Sequence, residues 1–410
     1  MSAPQKAIEM NEAAAPSPAA IRAAVAAGCL VAFIGFGLSV SIGVFLRPIA
    51  LDTGWSRETI SLSVAVQLLA WGLAQPLAGM AADRFGAALV IALGAVVAAA
   101  GFALRAVAAG PEIFILAGLL GGAGTGACSF PLVIVALGKV VTPERRSGIM
   151  GLGTAAASLG MFVAAPGAIA LEAALGWRNA LMLLGALFLL IPFAVIFIAR
   201  VSRPTATGLG LAAYGRALSA ALSERSFPLL FLGFFVCGFH VAFIQTHLAA
   251  FCTDAGLAAY VGGWALALIG LFNIGGSFFS GWSGQIWSKK RLLAGIYLAR
   301  AAVIALFLLA PLSPASVFVF SAAMGVLWLS TVPLTTGLVA ETQGLAFLST
   351  LVGVVFLGHQ AGSFAGAWLG GRLFDLTGGY GPMWWAAVAL GVFAALIHLP
   401  IREKPRAALA

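Results

Sequence analysis

The charged residues of this chain sit almost entirely at the ends of about twelve long apolar runs. A helix needs about 20 apolar residues to cross a bilayer, and a charge at its centre costs several kcal/mol. Charges confined to places that water or headgroups reach are the mark of a polytopic membrane protein. Only 9% of the residues are charged and 62% are hydrophobic, whereas a soluble domain carries about 25% charge. The 51 glycines fit the same picture, because small residues let membrane helices approach closely.

The net charge of +9 does not indicate nucleic-acid binding. The basic residues do not gather on one face with interleaved aromatics; they are distributed by loop. Cys29, Cys128, Cys237 and Cys252 lie in or beside apolar runs with no C-x-x-C spacing, so free buried thiols are expected, with no disulfide and no zinc site. Residues 1–20 are rich in Ala, Pro and Ser and are expected to be disordered. The first apolar run, from about Val25 to Leu46, is too long for a signal-peptide core.

The spans fall at roughly 24–46, 58–81, 87–108, 112–137, 147–171 and 178–199, then 227–251, 258–282, 291–311, 314–339, 345–371 and 381–400. With the N-terminus in the cytoplasm, 16 Lys and Arg lie on the inner side and 5 on the outer side, Arg47, Arg57, Arg105, Arg178 and Arg372. The positive-inside rule therefore places both termini inside. Arg300 alone falls deep within a run. The expected organisation is a cytoplasmic N-terminus (1–22), a six-helix bundle (23–200), a linker (201–226), a second six-helix bundle (227–401) and a cytoplasmic tail (402–410). The stretch Leu211 to Glu224 in the linker has the pattern of an amphipathic helix at the inner membrane surface. Pro76, Pro131, Pro166 and Pro333 are expected to kink their spans.

The two halves resemble each other. Gly79-Met-Ala-Ala-Asp83-Arg84-Phe-Gly86 follows the second span and Gly281-Trp-Ser-Gly-Gln285-Ile-Trp-Ser-Lys289-Lys290 follows the eighth. Phe33-Ile-Gly-Phe and Phe231-Leu-Gly-Phe open the first and seventh. A parallel repeat of six helices places a binding site between the halves, near the bilayer midplane. The G-x-x-x-D-R-x-G segment between spans two and three of a 6+6 chain is similar to the major facilitator superfamily over about 23–400. Gly43-Val-Phe-Leu-Arg47-Pro48, Gly54-Trp55-Ser56-Arg57, Gly176-Trp177-Arg178, Thr246-His247-Leu248, Val332-Pro333-Leu334-Thr335 and His359-Gln360-x-Gly362 resemble bacterial members of its monocarboxylate and oxalate–formate branch. The resemblance implies an all-α integral membrane fold of two pseudo-symmetric six-helix bundles, in a bacterial-type inner membrane. Animal monocarboxylate transporters carry an Asp and an Arg in the eighth span, where this chain has Asn273 and Ser277, so a simple lactate-type mechanism does not carry over.

By this resemblance, Gly79, Asp83, Arg84 and Gly86 form a cytoplasmic gate, with Arg145 or Arg146 as partners of Asp83. His240 and His247 are seven residues apart, hence nearly on one face and about 10 Å apart along the axis; with Gln245 between them, they are candidates for contact with an anion or a proton. The alternative is that they only hydrogen-bond neighbouring helices. Asn273, His359 and Gln360 are further candidates to contact substrate. Arg47 ends the first span, where it either draws anions into the outer vestibule or snorkels. Arg300 lies about 15 Å along its helix from Lys290; it either bonds backbone carbonyls or reaches the substrate. His398 is expected at the interface.

All 13 acids lie at edges or in loops, so the usual carboxylate proton carrier is missing and a cationic substrate has no buried counter-charge. The expected function is secondary active transport of a small organic anion, such as a carboxylate, by alternating access, coupled to a proton or a counter-anion. The partners are then the substrate and the bilayer, with no cofactor, metal or nucleic acid, and the chain is expected to be a monomer. Efflux of lipophilic small molecules is the alternative. A membrane-embedded enzyme is the remote one, since no catalytic cluster is visible. There is no P-loop for nucleotide drive.

Overall fold

The computed structural model describes residues 17–128, 132–133, 143–201, 211–344 and 347–403, and among them there is no strand. The N-terminal half comprises α1 (Pro18–Val40), a 3-10 segment (Ser41–Phe45), α2 (Leu46–Thr53), α3 (Arg57–Phe85), α4 (Ala87–Ala106), α5 (Pro111–Ala127), α6 (Pro143–Phe188) and α7 (Ile191–Ala199). After α8 (Leu211–Ser223), the C-terminal half comprises α9 (Ser226–Asp254), α10 (Ala259–Ile286), α11 (Lys289–Leu309), α12 (Pro314–Leu327), α13 (Thr331–Gln343), α14 (Leu348–Thr377) and α15 (Gly381–His398). Among the described residues, nine helical stretches are long and apolar enough to cross a membrane.

Local sequence sets where these helices start. Ser17 accepts from the Ala20 N–H with Pro18 in the first turn, and Ser56 accepts from the Thr59 N–H at 3.1 Å. Ser313 and Ser316 form a reciprocal capping box on α12; each device satisfies N–H groups that the first turn leaves free. The α6 helix includes Gly176 at φ 74° and ψ 160°, a conformation open to glycine and strained for other residues. The chain turns there and Trp177 and Arg178 begin a new leg.

Lipid-facing positions carry large apolar side chains, such as Phe278, Leu309 and Val319. The interior is closed by small residues. Gly122 of α5 lies so close to α3 that a Cβ there would come within 2.1 Å of the Gln67 carbonyl oxygen. The glycines of the fourth span thus pack within one half.

Three boundaries differ from the sequence expectation. The tenth span is two helices, α12 and α13, with a break at residues 328–330, just before Pro333. The sixth span is interrupted at residues 189–190. The first span continues through a 3-10 turn into α2. Pro76 and Pro166 lie inside α3 and α6; Pro131 lies outside the described residues. The four cysteines are free.

Candidate functional site at the interface between the halves

Two antiparallel helix pairs join the halves. Along α3 and α14, Gly371 lies against the Arg57 carbonyl and Gly72 against Gln360, while Gln360 Nε2 donates to Leu68 O at 2.8 Å. Along α6 and α10, Gly263 meets Ile169 and Gly270 meets Ser158 and Phe162. Asn273 Nδ2 donates to Ser158 Oγ at 3.0 Å. The 3-10 segment completes the contact, with Gly43 against the backbone of Gln245 and Thr246.

One end of this interface is tied by charge. Asp254, the last residue of α9, holds Arg57 through both carboxylate oxygens, and its Oδ1 lies 3.3 Å from Arg47 Nε. Asp375 of α14 accepts from the backbone N–H groups of Arg57 (3.2 Å) and Glu58 (2.7 Å). It thereby caps α3 from the other half, where the helix dipole favours an anion. Glu58 Oε1 in turn accepts from Trp368 Nε1 and Arg372 Nη1. Arg57 also lies over the Phe374 ring at 3.9 Å. Among the described residues, every ion pair that links the two halves lies at this end. The G-W-R segment docks nearby within the N-terminal half: Trp177 Nε1 donates to Asp52 Oδ2 at 2.9 Å and Arg178 Nη1 to Ala106 O at 3.0 Å.

A hydrogen-bond chain leads inward from this seam. Arg57 Nη1 donates to the Tyr380 hydroxyl at 2.8 Å, which lies 3.2 Å from His247 Nδ1. His247 Nε2 is 2.8 Å from Ala367 O. A carbonyl only accepts, so Nε2 carries the proton and Nδ1 accepts from the phenol. Tyr380 sits in the turn between α14 and α15, and burial pushes its hydroxyl up to about 12.

The sequence candidates divide among distinct places. Arg47 belongs to the seam and is matched by Asp254. His240 and His247 are buried inside the C-terminal half, and His240 Nε2 lies 2.8 Å from Ala387 O; in this conformation neither opens to a cavity. Gln245 is buried with its Nε2 unpartnered. His359 Nδ1 is 3.0 Å from Gln360 Oε1, and its ring stacks on Phe356. Of the gating candidates, Gly79 has open space where a Cβ would stand, Arg84 is exposed over the Phe85 ring, and Gly86 turns the chain at φ 94°. The side chains of Asp83, Arg145 and Arg146 lie outside the described residues.

Arg300 is fully buried and bonds backbone. Its Nε and Nη2 donate to Leu327 O at 3.2 and 2.6 Å, Nη2 also to Trp328 O, and Nη1 to Cys237 Sγ at 3.4 Å. These carbonyls are freed by the break between α12 and α13, where helix ends leave acceptors without internal partners. Asn273 Oδ1 takes the Leu329 N–H of the same break at 3.0 Å, so Asn273 joins the broken helix to the other half.

Arg105, expected among the outer cations, is also fully buried. It donates to Gln67 Oε1 at 2.5 Å and to Ser63 Oγ and O at 3.1–3.2 Å. Neutral acceptors one turn apart on α3 replace the water that a loop position would have supplied. His398, the last residue of α15, is likewise buried, stacked on Tyr297 with Nδ1 2.6 Å from Ala394 O. Among the described residues, no group of three or more His, Cys, Asp or Glu could hold a metal.

Known proteins share the fold. The fold resembles that of a bacterial homolog to the human lysosomal transporter Spinster, solved inward-facing and unoccupied, with a TM-score of 0.76 at 15% identity over 93% of this chain and 97% of that one. In sequence, the chain is 25% identical to the uncharacterized MFS-type transporter YcxA of Bacillus subtilis (strain 168), over 90% of this chain and 92% of the relative. It is 28% identical to monocarboxylate transporter 11 of Homo sapiens, over 71% of this chain and 62% of that protein. Residues 27–354 match the family described as Major Facilitator Superfamily. With the apolar helices in two joined halves, that match across most of the sequence establishes that the chain belongs to the major facilitator superfamily.

Proposed function

We propose that this protein is a secondary active transporter of a small organic anion, such as a carboxylate, and that it works by alternating access between its two halves. One observation carries the choice of charge: the described interior holds two fully buried guanidiniums, Arg105 and Arg300, and no buried carboxylate. The field inside such a low-dielectric bundle is positive and favours an anionic cargo over a cation. Similarity to a monocarboxylate transporter supports the same class. In the orientation that the Lys and Arg bias favours, the seam of Arg57, Asp254 and Asp375 lies on the outer side and closes it. Releasing these pairs is the step that opens the outer path. The driving partner is a proton or a counter-anion, and His240, His247, His359 or the substrate itself is the candidate to carry the coupling.

The test is counterflow in proteoliposomes loaded with unlabelled carboxylate. Gradient-driven accumulation of labelled carboxylate, competed by other small organic anions, is expected. Tighter competition by organic cations would overturn the anion reading.

Efflux of lipophilic compounds is the second reading. The observation in its favour is an apolar groove of about 290 Å³ lined by Leu271, Phe272, Gly275, Gly276, Phe279 and Val326. Saturable transport of a lipophilic dye with no response to carboxylates would select it.

A further inference from the structure

A polar cavity of about 340 Å³ lies where α8, α9 and the segment after α15 meet. It is lined by Ser223, Glu224, Arg225, Ser226, Pro400 and Arg402. This is the end of the bundle opposite the seam, since α9 begins here and ends at Asp254. Arg225 and Arg402 are exposed, and among the described residues neither side chain has a carboxylate within ion-pair distance. Glu224, the acid in the lining, is engaged: its Oε2 accepts from Gln343 Nε2 at 3.1 Å. The cavity wall is fixed by backbone contacts. The Arg402 N–H donates to Ser226 Oγ at 3.1 Å, and Lys290 Nζ donates to Ile401 O at 2.9 Å.

The surroundings are apolar on the membrane side. Leu396, in the last turn of α15, and Leu399, its C-cap three residues on, are 60% and 51% exposed. They lead directly to Pro400 in the cavity wall. Leu222, at the end of α8, is 53% exposed beside Ser223. Unmatched guanidiniums in a polar cavity at the end of spanning helices, with an exposed apolar strip running from it towards the bilayer, match the two parts of one molecule. A phosphodiester fits the arginines, and an acyl chain fits the strip. Two arginines against one acid leave an excess of one positive charge, which suits a headgroup of one net negative charge. The cavity lies outside the α3–α14 and α6–α10 pairs, so it is not the transport path.

We infer that Arg225 and Arg402 form a site for the headgroup of an anionic phospholipid, with its acyl chain along Leu396 and Leu399. A bound lipid there would tether α8 to the start of α9 and the end of α15.

The purified full-length protein in detergent tests this by thermal shift and native mass spectrometry with added phosphatidylglycerol, phosphatidylcholine or inorganic phosphate. Phosphatidylglycerol is expected to raise Tm and to remain bound, whereas phosphatidylcholine and inorganic phosphate do neither. Removing each arginine is expected to weaken retention about fivefold, so Arg225→Gln with Arg402→Gln abolishes the shift. Arg216→Gln on α8 is the charge-matched control and keeps the response. If the double variant does not fold, each single variant supplies the same reading by lipid retention. Undiminished phosphatidylglycerol binding in the arginine variants would sink the proposal. An equal response to inorganic phosphate would also overturn it, by showing a soluble anion site instead of a lipid site.

Discussion

Arg57 and Arg300 are both largely withdrawn from water, yet they are held in opposite ways. Arg57 crosses from one half to the other and is gripped by a carboxylate, Asp254, with a phenol and an aromatic face beside it. Arg300 stays within the C-terminal half and is gripped by backbone carbonyls at a helix break. Charged partners at an end that water can reach are exchangeable, because both ions regain hydration when they part. A guanidinium among backbone carbonyls in a spanning bundle has no such alternative, and neither do the carbonyls. The contrast separates a contact that can switch from one that holds the helix together. Arg105, bonded only to Ser63 and Gln67 of its own half, falls with Arg300.

This contrast breaks most readily at Arg300. Arg300→Ala orphans the Leu327 and Trp328 carbonyls and is expected to cost about 4 kcal/mol, seen as collapse of the folded yield and a large fall in Tm in detergent. Arg300→Lys, which keeps the charge, should recover part of it. A folded, inactive Arg300→Ala protein would instead assign Arg300 to the substrate. Arg57→Gln comes next and should leave Tm almost unchanged while releasing the seam. Loss of its charged hydrogen bonds is worth about 2 kcal/mol, or roughly a 30-fold shift in the balance between closed and open. Spin labels at Leu51 and Leu376, both exposed and on opposite halves, should report a longer distance in Arg57→Gln and none in Arg300→Lys. Equal distances in the two variants would erase the distinction. Asp375→Asn is smaller again: an amide oxygen can still accept one α3 N–H, so about 1 kcal/mol is lost and the distance distribution broadens without a full shift.

Most of the fold was legible because the bilayer forces it: apolar runs and end charges are both written in short stretches of sequence. The seam was not. Asp254 and Asp375 read as solvated charges at span ends, and their partners lie 197 and 318 residues away. The G-W-S-R and G-W-R segments stood out only as a family resemblance, which does not say which acids they meet. Arg105 counted with the outer-side cations because it ends an apolar run, and its burial depends on Ser63 and Gln67, which a charge map does not weigh. Arg300 stood out from sequence, but the break that explains it did not. Trp328-Leu329-Ser330 is not polar enough to interrupt a hydropathy profile, and Pro333 only marked the vicinity.

The finest test lies in the link between the seam and the interior, at Tyr380. Burial raises the pKa of its hydroxyl from the usual 10 to about 12, outweighing the neighbouring Arg57 guanidinium, which acts in the opposite direction. A group whose folded pKa is raised contributes stability that is complete below its unfolded value and lost as pH climbs through the folded value. The seam should therefore keep its labelled distance from about pH 6 to pH 9 as far as Tyr380 is concerned, and loosen between about pH 10 and pH 12. Tyr380→Phe keeps the ring contacts with Phe374 and His247 and removes one hydroxyl, at about 1 kcal/mol. It should also abolish this alkaline step while leaving the neutral-pH distance nearly as in the parent. An alkaline transition that survives in Tyr380→Phe would mean that the seam is governed by its carboxylates and arginines alone, with the chain to His247 a packing contact and not a connection.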